Sequence, residues 1–280
     1  MNKTVTLKTG DELPTVGFGT WNIRGEQLRL AVQTALKTGY THVDTAEGYA
    51  NEETVGNVIC DHNVDREELF MTSKVLPKNL DYESVIRSCE HSLDRLGTDY
   101  LDLYLIHWPN PAISLRETLK AMETLHDRGA VRNIGVCNFS KYQLSAAHHI
   151  SDLPIAVNQI EFHPLFRRDD LLEYCRETNT QVEAAAPLAR GAVLKNDRLR
   201  EIAEKYDRTP AAVALRWAIE KGAAVLPKSG NPDHVRQNFE VLEWSLDDAD
   251  VEKIDSIDQM EPVYDTGIRD WDDDTYGIAK

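Results

Sequence analysis

The chain contains no uncharged apolar stretch long enough to cross a bilayer. Its opening, Met-Asn-Lys-Thr-Val-Thr-Leu-Lys-Thr-Gly, lacks the apolar region of an export signal. Cysteine is scarce: Cys60, Cys89, Cys137 and Cys175 stand far apart and form no Cys-x-x-Cys pair. That spacing argues against structural disulfides and against a zinc knuckle, and it fits a reducing compartment. Positive charge is in deficit, with 31 basic residues against 47 acidic ones and a net charge of -16. Such a surface resists nonspecific binding to nucleic acid or anionic lipid. It also fits a salt-rich host, where screening relieves self-repulsion. No arginine cluster marks a strongly anionic substrate. A soluble cytoplasmic protein with a small-molecule partner and no metal is therefore expected.

A glycine fingerprint is missing too. Gly17-Phe18-Gly19-Thr20-Trp21 has neither the third glycine nor the later acidic partner of an open dinucleotide-binding sheet. What the chain does have is alternation. At 280 residues it can bury a large core, and one domain over residues 1–280 is expected. Apolar runs predict strands at Thr15–Gly19, Thr41–Asp44, Leu69–Lys74 and Leu101–His107. Four more are predicted at Val131–Cys137, Ile155–Gln159, Gln181–Pro187 and Ala223–Pro227. Amphipathic helical patterns fall between them, near 26–37, 51–61, 82–96, 114–128, 140–150 and 168–178. The rest lie near 197–205, 210–220 and 232–239.

Local signals agree. Asn51 and Asp81 are placed as N-caps, and Pro210 follows Thr209 at a first turn. Gly39, Gly97, Gly129 and Gly222 each follow a helical pattern, as C-terminal caps do. Eight βαβ-like units predict an α/β fold of the closed (β/α)8 TIM barrel type, with a doubly wound open sheet as the alternative. The first residues, with Gly10 and Asp11 in a turn, read as a hairpin that plugs the N-terminal face. After about residue 250 periodicity fades into a C-terminal tail, Arg269-Asp270-Trp271-Asp272-Asp273-Asp274, read as a solvated terminus or as a flap bringing Trp271 to substrate.

Asp44, Lys74 and His107 end three successive apolar runs, and Tyr49 follows the first of them. In a parallel α/β fold, strand C-termini converge on one mouth. Singly each residue is ordinary: a cap or turn group, a packed side chain, a rim phenol. Together they form a proton-transfer set. A phenol near its usual pKa is a poor acid at neutral pH unless it is tuned. Lys74 would stabilise its phenolate character, and Asp44 would keep that lysine charged. His107 would orient the substrate oxygen or share the proton. A metal-dependent hydrolase would instead need His42, Asp44 and His107 to converge.

Longer motifs carry a resemblance. His42-Val43-Asp44-Thr45-Ala46-Glu47-Gly48-Tyr49, Leu101–Pro109 ending in His107-Trp108-Pro109, and Gly135-Val136-Cys137-Asn138-Phe139-Ser140 are similar to aldo-keto reductase signatures. So are Asn158-Gln159-Ile160-Glu161-Phe162-His163-Pro164 and Leu226-Pro227-Lys228-Ser229. In appearance the chain most resembles the microbial branch containing 2,5-diketo-D-gluconate reductases. The resemblance implies reduction of a small aldehyde, α-dicarbonyl or keto-sugar with NADPH, or with NADH, by a protein acting as a monomer. It assigns catalysis to Asp44, Tyr49, Lys74 and His107, with Tyr49 as the general acid.

The same resemblance places the nicotinamide amide against Cys137, Asn138 and Gln159, the first being more usually serine. It places Ala185, in Val182-Glu183-Ala184-Ala185-Ala186-Pro187-Leu188, where a stacking tyrosine usually stands. Thr20, Trp21 and Pro187 belong to the expected cofactor wall, and Leu188, Arg190 and Gly191 to a loop over the pyrophosphate. Lys228, Ser229, Gly230, His234, Gln237 and Asn238 fall in the adenosine-phosphate region, where His234 replaces an arginine and Gln237 a glutamate. Trp21, Tyr49, His107, Trp108 and Trp271 are expected around substrate. The departures at Cys137, Ala185 and His234 motivate an alternative, a non-catalytic nucleotide-binding or redox-sensing barrel.

Overall fold

A computed structural model describes residues 3–264 of the chain. The tail with Trp271, expected as terminus or flap, lies outside the described residues. A hairpin of β1 (Thr4–Thr6) and β2 (Glu12–Pro14) precedes eight parallel strands. These are β3 (Phe18–Gly19), β4 (His42–Asp44), β5 (Phe70–Val75), β6 (Leu101–Ile106), β7 (Val131–Cys137), β8 (Ile155–Glu161), β9 (Gln181–Ala185) and β10 (Ala224–Val225). They pair in sequence order from β3 to β10. The seam closes through a parallel bridge between Val16 and Val225. Across it the Gly17 N–H donates to the Val225 carbonyl at 2.9 Å and the Gly19 N–H to that of Pro227 at 3.1 Å. The sheet is a closed (β/α)8 barrel, and the open doubly wound alternative is excluded.

The helices are α1 (Gly25–Thr38), α2 (Glu52–Asp61), α3 (Tyr82–Leu96), α4 (Leu115–Asp127), α5 (Lys141–Ile150) and α6 (Asp169–Glu177). After them come α7 (Asp197–Lys205), α8 (Pro210–Glu220), α9 (Pro232–Phe239) and α10 (Asp248–Asp255). Asp81 caps α3 through the Ser84 N–H at 3.1 Å, and Thr209 caps α8 through that of Ala212 at 3.1 Å. Asn51 does not cap. It stands at the N-cap position, but its carbonyl accepts from the Thr45 hydroxyl at 2.8 Å and its amide donates to Thr20 O at 3.0 Å. The buried loops after β3 and β4 contain polar groups that must be satisfied, and they take this side chain away from the helix.

Sequence reading places no element past residue 250, yet α10 spans that point. It buries Ile254 against the body, and Asp250 is held by Lys205 at 2.5 Å and the Tyr206 hydroxyl at 2.7 Å. Its buried face carries Asp250 beside Ile254, so an apolar stripe alone does not reveal it.

Side-chain parity builds the site. Along β6, Tyr104 and Ile106 join the large core between strands and helices. Leu103 and Leu105 face the interior, with Leu7, Leu13, Phe70, Val157 and Ala224. Leu7 and Leu13 come from the hairpin. Thr9 and Asp11 bond Asn133 of β7 at 2.5 and 2.7 Å, so the hairpin does plug the N-terminal end. With period two, the interior row on β5 reads Phe70, Thr72, Lys74. On β4 it is His42 and Asp44, on β8 Val157 and Gln159, and on β9 Glu183 and Ala185. An apolar floor thus gives way to a polar layer, and that layer to the mouth.

Candidate active site

Lys74 is fully buried on β5. Its ammonium donates to Asp44 Oδ1 at 2.6 Å, to the Thr45 carbonyl at 2.9 Å and to the Tyr49 hydroxyl at 3.4 Å. Its three N–H groups therefore have three partners, which makes a buried charge tolerable. Tyr49 sits in a single turn after β4 (Glu47–Tyr49) that is tied down by Glu47. That carboxylate accepts from the Leu76 N–H at 2.6 Å and from the Asn79 amide at 2.9 Å. His107 meets the Tyr49 ring edge to face at 5.5 Å between centroids. The four expected catalytic residues are assembled.

Burial pulls the Lys74 pKa down, but the Asp44 carboxylate and the Tyr49 oxygen hold it above the ordinary value. His107 is pushed well below its usual value, first by burial and then by the Lys74 charge, so its imidazole is neutral. The phenol departs from expectation. Lys74 does pull it down, but desolvation dominates and leaves Tyr49 above its usual value. The hydroxyl keeps its proton at neutral pH, as a proton donor must.

A cavity of about 520 Å³ opens over these groups. Of the residues expected from sequence, Trp21, Asp44, Tyr49, His107, Trp108, Asn138, Gln159, Ala185, Pro187, Leu188, Arg190, Gly191 and Lys228 line it. Lys74 lies behind Asp44. Thr20 and Cys137 are buried outside the lining; the Thr20 hydroxyl donates to the Asp44 carbonyl at 2.9 Å. Ser229, Gly230, His234, Gln237 and Asn238 also lie outside it, on the loop after β10 and on α9. The Ser229 hydroxyl accepts from the Asn231 N–H at 3.0 Å, and Arg236 is tied to Asp233 at 2.7 Å. The compensation that Arg236 could offer for His234 is thus already spent on a neighbour.

Sequence reasoning missed Gly19, Asn22, Ala186, Leu226 and Tyr264 in the lining. Tyr264 matters most. Glu161 at the end of β8 accepts the N–H groups of Val263 and Tyr264 at 2.7 and 2.8 Å, and the Tyr264 ring lies edge to face on Trp108 at 6.0 Å. The acidic residue in Asn158-Gln159-Ile160-Glu161 was the available signal, but its partner is remote in sequence.

Arg190 and Lys228 flank the Trp21 ring at 5.2 and 5.7 Å. Lys228, exposed but set in the cavity wall, is pulled below its ordinary value by partial desolvation and by the Arg190 charge. Neither cation has a carboxylate partner among the described residues, so an anion between them would relieve the repulsion. Gln159 spends its amide N–H groups on Asp44 Oδ2 at 2.9 Å and Glu183 Oε2 at 2.7 Å. Its carbonyl oxygen accepts nothing among the described residues. Cation pair and free acceptor both suit a phosphate-bearing ligand with an amide.

A sequence profile of the Aldo/keto reductase family matches residues 15–259. The chain belongs to the aldo-keto reductase family. A glyoxal reductase of Bacillus subtilis is 39% identical over 264 residues, covering 94% of this chain and 95% of that protein. A methylglyoxal reductase of Escherichia coli is 38% identical over 258 residues, covering 91% and 93%. The solved aldose reductase of Schistosoma japonicum superposes with a TM-score of 0.91 at 31% identity, covering 96% of each chain. This aldo-keto reductase is an oxidoreductase, and family and relatives together support carbonyl reduction. None of these three names carries the finer resemblance to 2,5-diketo-D-gluconate reductases. The non-catalytic alternative gains no support from them. The metal-hydrolase reading fails on geometry: His42 bonds Thr72 at 3.0 Å and faces Glu183, and no metal-holding cluster with His107 forms among the described residues.

Proposed function

We propose that the protein reduces small aldehydes and α-dicarbonyl compounds to alcohols, using NADPH in preference to NADH. The observation that carries this is the chain Asp44–Lys74–Tyr49, closed at 2.6 and 3.4 Å, with the Tyr49 hydroxyl on the wall of a cavity. The names of the glyoxal and methylglyoxal reductases support the substrate class. Three aromatic walls, Trp21, Trp108 and Tyr264, narrow the mouth around a small carbonyl.

Gln159 and Asn138 would hold the carboxamide of the nicotinamide, and Arg190 with Lys228 the phosphates. Cys137, lying beneath the wall, contributes packing. When bound, the reduced cofactor supplies a hydride to the carbonyl carbon. The chain supplies the rest. Tyr49 gives its proton to the carbonyl oxygen, and the neutral His107 donates a hydrogen bond to the same oxygen as negative charge develops there. The phenolate left on Tyr49 faces Lys74, whose charge Asp44 maintains. These dipoles and charges are in place beforehand, so little reorganisation accompanies the step.

The test is NADPH and NADH oxidation with glyoxal, methylglyoxal, xylose, diketogluconate and aromatic aldehydes. Turnover is expected first on the α-dicarbonyls and faster with NADPH. No carbonyl-dependent oxidation of either cofactor across that panel would sink the reading.

A further inference from the structure

One buried carboxyl is not used by this chemistry. Glu183, on β9, is fully buried beneath the mouth. Its Oε2 accepts from Gln159 Nε2 at 2.7 Å, and its Oε1, with no hydrogen-bond partner, lies 3.7 Å from His42 Nδ1. His42 Nδ1 is equally unpartnered, while its Nε2 meets the Thr72 hydroxyl at 3.0 Å. At 3.7 Å the two atoms face each other just beyond hydrogen-bond distance. A neutral carboxyl facing a neutral imidazole is the least costly form there, because burial opposes charge on both groups and the Lys74 charge further opposes it on His42.

The consequence falls on Gln159. Asp44 is ion-paired with Lys74, so the Gln159 atom touching Asp44 Oδ2 must be the NH2 nitrogen and not the carbonyl. The same nitrogen reaches Glu183, and both its hydrogens are consumed. We propose that Glu183 is a positioning residue for cofactor recognition: with Asp44 it locks the amide of Gln159 so that its carbonyl oxygen faces the mouth as an acceptor for the N–H2 of a carboxamide. This deepens, and rests on, the nicotinamide reading above. It assigns to the conversation between β9 and β8 what the residues touching the ligand leave unexplained, namely why Gln159 presents oxygen.

The experiment titrates the tryptophan fluorescence of the full-length protein with NADPH, with the 3-acetylpyridine analogue lacking the carboxamide N–H2, and with 2'-phospho-ADP-ribose lacking the ring. Wild type should bind NADPH about tenfold more tightly than the acetylpyridine analogue, the size of one well-made hydrogen bond. Glu183→Leu should remove that preference while 2'-phospho-ADP-ribose binds as before. Glu183→Gln, which reproduces the acceptor toward Gln159, should restore it. If Glu183→Leu does not fold, Glu183→Met keeps the length and removes the acceptor. Equal wild-type affinity for NADPH and the analogue overturns the proposal whatever the variants do. So does a Glu183→Leu or Glu183→Met protein that keeps the preference, or a Glu183→Gln protein that folds and loses it. Failure of wild type to bind any of the three ligands overturns the underlying cofactor reading instead.

Discussion

The two sides of the barrel mouth are built differently. On the side proposed for proton transfer Asp44, Lys74 and His107 are buried, Asp44 and Lys74 are paired, and all three match the residues the resemblance implies. On the side proposed for the phosphates Lys228, His234, Arg236 and Gln237 are exposed, and two of the four differ from the residues the resemblance implies. The difference is one of energetics. A charge in the interior is tolerable only with all its partners in place, so changing one member leaves an uncompensated ion. A cation at the surface contributes little through any one pair and is screened by salt, so its identity can drift while the net potential is kept. In the proposed function, chemistry belongs to the first side and cofactor choice to the second.

The sharpest way to break that contrast is Tyr49→Phe. It should lower kcat by about a thousandfold while NADPH binding is unchanged, since general acid catalysis contributes on the order of 10²–10⁴. Normal single-turnover reduction by this variant would remove the phenol from the mechanism. Lys74→Met tests the buried pairing itself. It leaves Asp44 without its cation and should cost about 3–5 kcal/mol of stability, read as a Tm lowered by roughly 10 °C. A thermal melt within a degree or two of wild type would show that the pair is not structural. The smallest effect is expected on the other side. Lys228→Ala should weaken NADPH binding by about fivefold at low salt, with the difference shrinking as ionic strength rises. A salt-independent loss, or one as large as that of the buried variants, would erase the distinction between the two halves.

The meeting of the four polar groups was largely legible in residue order. Asp44, Lys74 and His107 end apolar runs, and period-two parity sends each of them inward. Other features were hidden for definite reasons. Glu183 was visible only as a polar residue in a strand, because its meaning depends on Gln159 and His42 from other strands. Tyr264 lies where periodicity has faded, and Glu161, 102 residues away from Val263, helps hold it over the mouth. Asn51 occupied a cap position by every local rule, yet loop packing took its side chain. The expectation that Lys74 makes the phenol acidic named the correct neighbour but omitted the desolvation that outweighs it.

Alternating apolar runs and amphipathic helices, with helix punctuation at residues such as Asp81 and Gly97, determined by themselves that this chain winds into a parallel barrel with polar groups at one end. Those are local properties, set by backbone sterics and by the periods of strand and helix. Which polar groups meet was decided only on closure. Gln159 reaches Asp44 across 115 residues, and that contact exists because the seam at Val16 and Val225 curls β8 around to face β4. Hydrogen-bond partners inside a barrel follow from its curvature and strand stagger, which belong to the whole sheet and to no single segment.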